Sequence, residues 1–333
     1  MLPDSFASAH RPDRRGLCGV AFTIFAVMAV AVLPAGCGRP PPPAGFVTVA
    51  TLAPAVVDES SGLAASHRAE GMLWTHNDSG GQPVLYAIGL DGKLRGSVRL
   101  AGVKNVDWED IASFELDGRA WLLVADTGDN AGPRSPYRKN CALQVIAEPD
   151  PADLSPDHET AVSVSWSIPV SYADGPHDCE SVAVDVREGN VYLLRKRTFP
   201  NLLMTLPLRP VAGGATPPAR EICLVKNIPQ PSSSQRAFPI PSGRYRGNPT
   251  GMDISSDGLT AAVLTYGDVL IYSRRPGENW SRAFSRAPVV MAPHGLSQAE
   301  GICFSRDGRS VFVDEETTHS PLLRYDLTPS KTP

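Results

Sequence analysis

One short pattern returns five times along the chain, and it limits the fold more than any other feature. "SGLAAS" (61–66), "EDIASF" (109–114), "ESVAVD" (180–185), "TGMDIS" (250–255) and "EGICFS" (300–305) each open on a polar residue. A small or acidic residue follows, then an alternating apolar strand. Eight to ten residues after each start comes a glycine, at Gly71, Gly118, Gly189, Gly258 and Gly308, with an acidic residue before it as tight hairpin turns prefer. Second strands follow as "MLWTHN", "AWLLVAD", "VYLLRK", "TAAVLTY" and "SVFVDE"; third strands follow as "VLYAIGL", "CALQVIA", "LLMTLPL", "VLIYSRR" and "LLRYDL". Fourth strands are expected at "LRGSVRL", "AVSVSWS", "REICLVK" and "SRAFSRA", while the last unit ends without one. "FVTVATL" (46–52) is the spare strand that can complete the last sheet and close a ring with no long free edge.

This spacing predicts an all-β fold, a five-bladed β-propeller closed by its N-terminal strand. The repeats start 48, 71, 70 and 50 residues apart, so the two long intervals leave room for a six-bladed alternative. Composition agrees with all-β: 29 glycines and 32 prolines punctuate short Val/Leu/Tyr/Trp runs, and no long segment carries a helical apolar period. At 333 residues and 42% hydrophobic content the chain can bury a sizeable core, and its net charge of −4 argues against a nucleic-acid partner. A ring with closed edges makes a monomer the expectation.

The first residues read as an export signal. Arg11, Arg14 and Arg15 precede an apolar run from Leu17 to Leu33, and "LPAGCG" then resembles a bacterial lipobox, with Pro34 where the pattern usually has Leu. The domain organisation expected is therefore a signal peptide over 1–36, an anchor cysteine and Pro-rich linker over 37–45, the propeller over 46–327 and a tail over 328–333. Cys37 is the lipidation candidate, and the polyproline run lifts the domain off a membrane. "RRGLC" carries a weaker twin-arginine likeness. Export and attachment to the cell envelope, in the periplasm or at the cell surface, follow as expectations. Cys141, Cys179, Cys223 and Cys303 show no zinc-type spacing, and the sequence leaves free thiols and disulfides equally open.

In a propeller the innermost strand of each blade lines the central channel, and its first residue sits at one mouth. Here those residues are Ser61, Glu109, Glu180, Thr250 and Glu300. Three carboxylates converging there would repel unless one took up a proton or a cation arrived. Oxygen-only donors without His or Cys suit Ca²⁺ better than zinc. The loops expected on the same face add His76, Asn77 and Asp78, then Asp126, Asp129 and Asn130, then Arg195, Lys196 and Arg197. Tyr266 and Asp268, then Asp314, Glu315, Glu316 and His319, follow, with Asp107, Trp108, His177, Asp178 and Asn248 on the connections into the inner strands. An acidic ring broken by one basic cluster suits a metal-bridged anion, a phosphorylated or otherwise anionic small molecule.

The matching stretches "ESSGL", "WEDIA", "CESVAV", "NPTGMDI" and "AEGICF", with "HNDSGG" and "YLLRKR", resemble the soluble calcium-activated nucleotidase (apyrase) family, with Thr250 standing where that family has Ser. The resemblance implies a five-bladed propeller with one axial Ca²⁺ that hydrolyses nucleoside diphosphates. Two readings of function lead: a ligand- or partner-binding propeller with a calcium centre, and a calcium-dependent phosphohydrolase. In the second, Asp78 or Asp126 serves as general base while Lys196 and Arg197 stabilise developing charge. A glycoside hydrolase is a third reading, with Trp108 and Tyr266 as sugar platforms.

Overall fold

The computed structural model describes residues 45–129, 138–210 and 216–327. The expected export signal, Cys37 and Asn130 lie outside them. Its strands form five sheets arranged as a five-bladed β-propeller. The N-terminal strand β1 (Phe46–Thr51) pairs antiparallel with the last strand of the chain, as the repeat count requires. Blade one holds β2 (Ser60–Ala65), β3 (Met72–Asn77), β4 (Val84–Gly89) and β5 (Leu94–Ala101). Blade two holds β6 (Trp108–Leu116), β7 (Arg119–Asp126) and β8 (Ala142–Ala147). The next strand, β9 (Glu159–Ser163), leaves blade two, and β10 (Trp166–Pro169) returns to complete it. Blade three is β11 (Ser181–Asp185), β12 (Asn190–Leu194), β13 (Asn201–Pro207) and β14 (Arg220–Val225).

A short helix α1 (Ser233–Arg236) leads into blade four, built from β15 (Pro249–Ile254), β16 (Thr260–Thr265), β17 (Val269–Ser273), helix α2 (Trp280–Ser285) and β18 (Val289–Val290). Blade five is β19 (Ala299–Phe304), β20 (Ser310–Glu315) and β21 (Pro321–Asp326), closed by β1.

Two fourth strands differ from the sequence expectation. "AVSVSWS" is not one strand: its first half belongs to β9, which runs parallel along β5 from Ser97–Glu159 to Ala101–Ser163 and covers the outer edge of blade one. Only Trp166 onward pairs with β8. "SRAFSRA" lies mostly in α2, because Asn279 caps the turn by accepting from the Arg282 N–H and because Trp280, Ala283 and Phe284 share one buried helical face. Phe284 stacks on Tyr272 of β17, with ring centroids 4.3 Å apart. The two-residue β18 then serves as the fourth strand.

The hairpin glycines behave as read. Gly71, Gly118, Gly189, Gly258 and Gly308 all have φ between 63° and 71°, a region that L side chains avoid. Each interface between neighbouring blades has its own apolar cluster, so the ring is held by five cores. Phe114, Leu123 and Val145 pack against Val182 and Leu193 between blades two and three. Leu52, Val57 and Leu63 meet Cys303, Phe312 and Leu322 where the ring closes. The four described cysteines are free.

The inner strands meet so closely at the axis that backbone groups of one blade bond to side chains of another. A Cβ on Gly62 would stand 2.9 Å from the Ile111 nitrogen and 3.1 Å from the Asp110 Cα, which is why the first repeat has glycine there. Asp110, fully buried, accepts N–H groups from Ile111 (2.9 Å), Val182 (2.8 Å) and Met252 (3.1 Å), joining blades two, three and four.

Asp253 does the same nearer the opposite mouth, accepting from Ile254 and Phe304, both at 2.8 Å. Burial pushes its carboxyl up to about 7 from the usual 3.8. A folded-state value raised above the unfolded one adds stability below the unfolded value, and that stability is lost as pH rises through the folded value. The stability advantage of the metal-free protein over its Asp253→Asn variant is therefore expected to shrink between pH 4 and pH 7. Melting curves of both across that range check it; a constant difference refutes it.

Candidate metal centre

The five axial residues owe their direction to a repeated irregularity in the ladders. The pairing of inner and second strands slips between Ser60 and Leu63, Trp108 and Asp110, Pro249 and Gly251, and Ala299 and Ile302. Ser61, Glu109, Thr250 and Glu300 stand at those slips, left out of the ladder as a β-bulge leaves its extra residue. Glu180 comes just before the first pair of β11. A bulge re-aims its side chain, and all five are buried at the same mouth of the channel.

Their partners divide them. Thr250 spends its hydroxyl on the Ala299 carbonyl, 2.8 Å away. Ser61 donates to Glu300 at 3.1 Å and lies 3.2 Å from the Glu109 carbonyl. Glu300 also accepts from the Tyr266 hydroxyl at 3.1 Å. Glu180 is ion-paired with Lys196, whose ammonium is buried, donates to Tyr266 at 2.9 Å and lies 4.9 Å from that ring's centroid. A cation is thus already present at the mouth, tethered to β12's exit.

Glu109 is left without such a partner: its Oε1 is buried and meets no hydrogen-bond donor among the described residues. Its oxygen lies within 4.8 Å of one oxygen each of Asp78 and Asp107, and within the same distance of Asp178 and Glu180. Burial pushes the Glu109 carboxyl well above the usual range; Lys196 pulls it down, while Asp78, Asp178 and Asp107 push it further up. A dry carboxylate among others must hold a proton or a cation. These buried acidic clusters could bind a metal. Gly128 forms one wall, since a Cβ there would collide with Glu109 Oε1 and stand 2.6 Å from Asp107 Cγ. Gly128→Ala is therefore expected to lower divalent-cation affinity by about tenfold or more while leaving the fold intact, as calorimetric titration would show; unchanged affinity would place the cation elsewhere.

Three further residues singled out in the sequence have different surroundings. Asp78 is half-buried, and its carboxyl is raised to about 6, chiefly by burial and then by Glu300. Arg197 is ion-paired with Asp178, in the left-handed region at φ 62°. Asp126 is tied up structurally: it accepts from the Asp107 N–H at 3.1 Å and from Arg138 at 2.6 Å.

Much of the polar ring on this face is a buried second layer. Asp314 is fully buried and accepts from Ser60 at 2.7 Å, Asp268 pairs with Arg246 at 2.8 Å, and Asp129 accepts from the Arg138 N–H at 3.0 Å. His76 and Trp108 pack edge to face, both fully buried, so Trp108 offers no platform to a sugar. Tyr266, also buried, spends its hydroxyl on Lys196 and Glu300. Gly128, Arg138 and Arg246 carry no local signal of their role; nothing in the "DTGDN" run that holds Gly128 points to contact with Glu109.

Fold and site together define a five-bladed propeller with a buried carboxylate cluster at one channel mouth. No known protein family matches the chain, and no curated protein does. Solved structures of similar shape include a gluconolactonase from Xanthomonas campestris, 13% identical, covering 86% of this chain and 90% of that one with a TM-score of 0.44. A luciferin-regenerating enzyme is 10% identical, with 86% and 96% covered and a TM-score of 0.45. The hydrazine synthase of Kuenenia stuttgartiensis is 12% identical, with 81% and 84% covered and a TM-score of 0.42. Likenesses this distant say nothing about chemistry.

Proposed function

We propose that the protein is an exported, lipid-anchored propeller that binds Ca²⁺ at the Glu109 mouth and uses that centre to hold an anionic ligand or a partner. The observation that carries this reading is the buried, unpartnered Oε1 of Glu109, a residue whose carboxylate belongs to both trios. Glu109 with Asp78 and Asp107, or with Asp178 and Glu180, would hold the cation. All are hard oxygen donors, with no thiol or imidazole in either trio, as Ca²⁺ prefers. Bound there, the cation would supply a Lewis-acid centre for oxyanions. Lys196 and Arg197 would flank the same ligand. The basic residues before Leu17, the apolar run to Leu33 and the lipobox-like Cys37 support export and anchoring.

Calorimetric titration with Ca²⁺, Mg²⁺ and Zn²⁺ tests the centre. Calcium is expected to bind most tightly, and absence of calcium binding would end this reading. Labelling with a radioactive fatty acid, lost on Cys37→Ala, tests the anchor.

A second reading, calcium-dependent phosphohydrolysis, is favoured by Asp78: with the cation on Glu109, Asp178 and Glu180 its carboxyl, raised to about 6 by burial, is left to take a proton. The apyrase-like order of Ser61, Glu109, Glu180, Thr250 and Glu300 supports it too. Phosphate release from a panel of nucleoside di- and triphosphates, with calcium and with chelator, separates the two: silence across the panel leaves the binding propeller. The glycoside hydrolase reading loses its sugar platforms to the burial of Trp108 and Tyr266.

A further inference from the structure

One of the two trios is already served by cationic side chains, and this sets how the mouth can respond to a metal. Glu180 is ion-paired with Lys196 and Asp178 with Arg197, while Glu109, the third member, has no such pair. Lys196 and Arg197 also line a cavity of about 420 Å³ beside the mouth, whose other charged or titratable groups are His177, Arg195, Asp129, Asp174 and Asp178. Arg195 is held there by Asp174 at 3.0 Å, outside either trio. The trio's three carboxylates face two cationic groups, with Asp78 and Asp107 close to the same Glu109, and a divalent cation among them raises the local charge by two. A dication at coordination distance repels an ammonium and a guanidinium bound to the same oxygens.

We propose that a divalent cation on Glu109, Asp178 and Glu180 displaces Lys196 and Arg197 toward the adjoining cavity, where they take an oxyanion. The inference rests on the cation centre proposed above. The metal-free mouth keeps both cationic side chains occupied internally and has little to offer an anion. The loaded mouth presents an ammonium and a guanidinium next to a metal, a combination that grips the oxygens of a phosphate or carboxylate group. Cation and oxyanion then bind cooperatively, and each raises the affinity of the other by one common factor.

The test uses the full-length protein and two probes, methylphosphonate and acetate. Calcium is titrated with and without each probe, and each probe with and without calcium. The expected result is a rise of about tenfold in calcium affinity with at least one probe, matched by an equal rise in that probe's affinity with calcium. Equal calcium affinity with and without both probes overturns the inference; Lys196 turning to Glu300 instead of the cavity would give that outcome. Failure of calcium to bind alone overturns the underlying centre as well, so the two failures are distinguishable. Linkage with one probe only identifies whether phosphate-type or carboxylate groups are the source.

Arg197→Gln, whose native side chain is 53% exposed, offers a variant expected to fold. It should bind calcium more tightly, because Asp178 loses its competing partner, and it should lose most of the linkage. A variant with undiminished linkage would remove Arg197 from the oxyanion site.

Discussion

Glu109→Gln is expected to weaken calcium binding by on the order of a hundredfold, about 3 kcal/mol, and to abolish any rise in melting temperature on adding calcium. Both carboxylate trios contain Glu109, so its loss breaks either way of seating the ion. The amide keeps the shape of the side chain and removes its charge, which separates the electrostatic effect from packing. The same change has an opposite consequence without metal. Burial and three nearby carboxylates hold the Glu109 carboxyl far above its usual range, so a neutral amide there costs less than a carboxylate. The metal-free variant is therefore expected to melt higher than the metal-free native protein at neutral pH. Scanning calorimetry of both proteins, with calcium and with chelator, reads the two effects at once. A variant that still gains stability from calcium would sink the assignment.

Asp110→Ala is expected to cost about 4 kcal/mol of folding stability, read as a lower urea midpoint. The residue is one position from Glu109 and faces a different task. Its two oxygens receive the N–H groups of Ile111, Val182 and Met252, from three inner strands that meet at the axis. Alanine leaves three buried donors unpaired, each worth about 1–3 kcal/mol, with partial relaxation recovering some of the sum. Asp110→Asn preserves the volume and one good acceptor but turns an amide N–H₂ toward a donor, so it is expected to lose about half as much. Calcium affinity should be little changed in the asparagine variant. A stability equal to that of the native protein would mean the axis is held by the blade interfaces alone.

The five-fold repeat, the hairpin glycines and the spare strand before Leu52 were legible without a structure, because each is a local rule. Alternation makes a strand, a glycine with positive φ makes the turn, and an unpaired fourth edge demands the first strand. Register alone also brought Ser61, Glu109, Glu180, Thr250 and Glu300 to one mouth. What register could not say is where each side chain spends its bonds. Thr250 turns to the Ala299 carbonyl and Glu300 to Ser61 and Tyr266.

The breaks in local reading have physical causes too. The alternation of "AVSVSWS" is the same whether one sheet or two receive it, and only the exposed edge of β5 divides it. The i, i+3, i+4 face of Trp280, Ala283 and Phe284 spans less than two turns, too short to declare a helix before the groove between β14 and β17 exists to bury it.

Carboxylates converging on a propeller axis follow from the repeat alone. The lysine that reaches into them, the glycine that leaves room at Glu109 and the arginines that neutralise the layer beneath come from other loops and other blades. Pairings of that kind depend on distances through space, which a one-dimensional pattern does not contain.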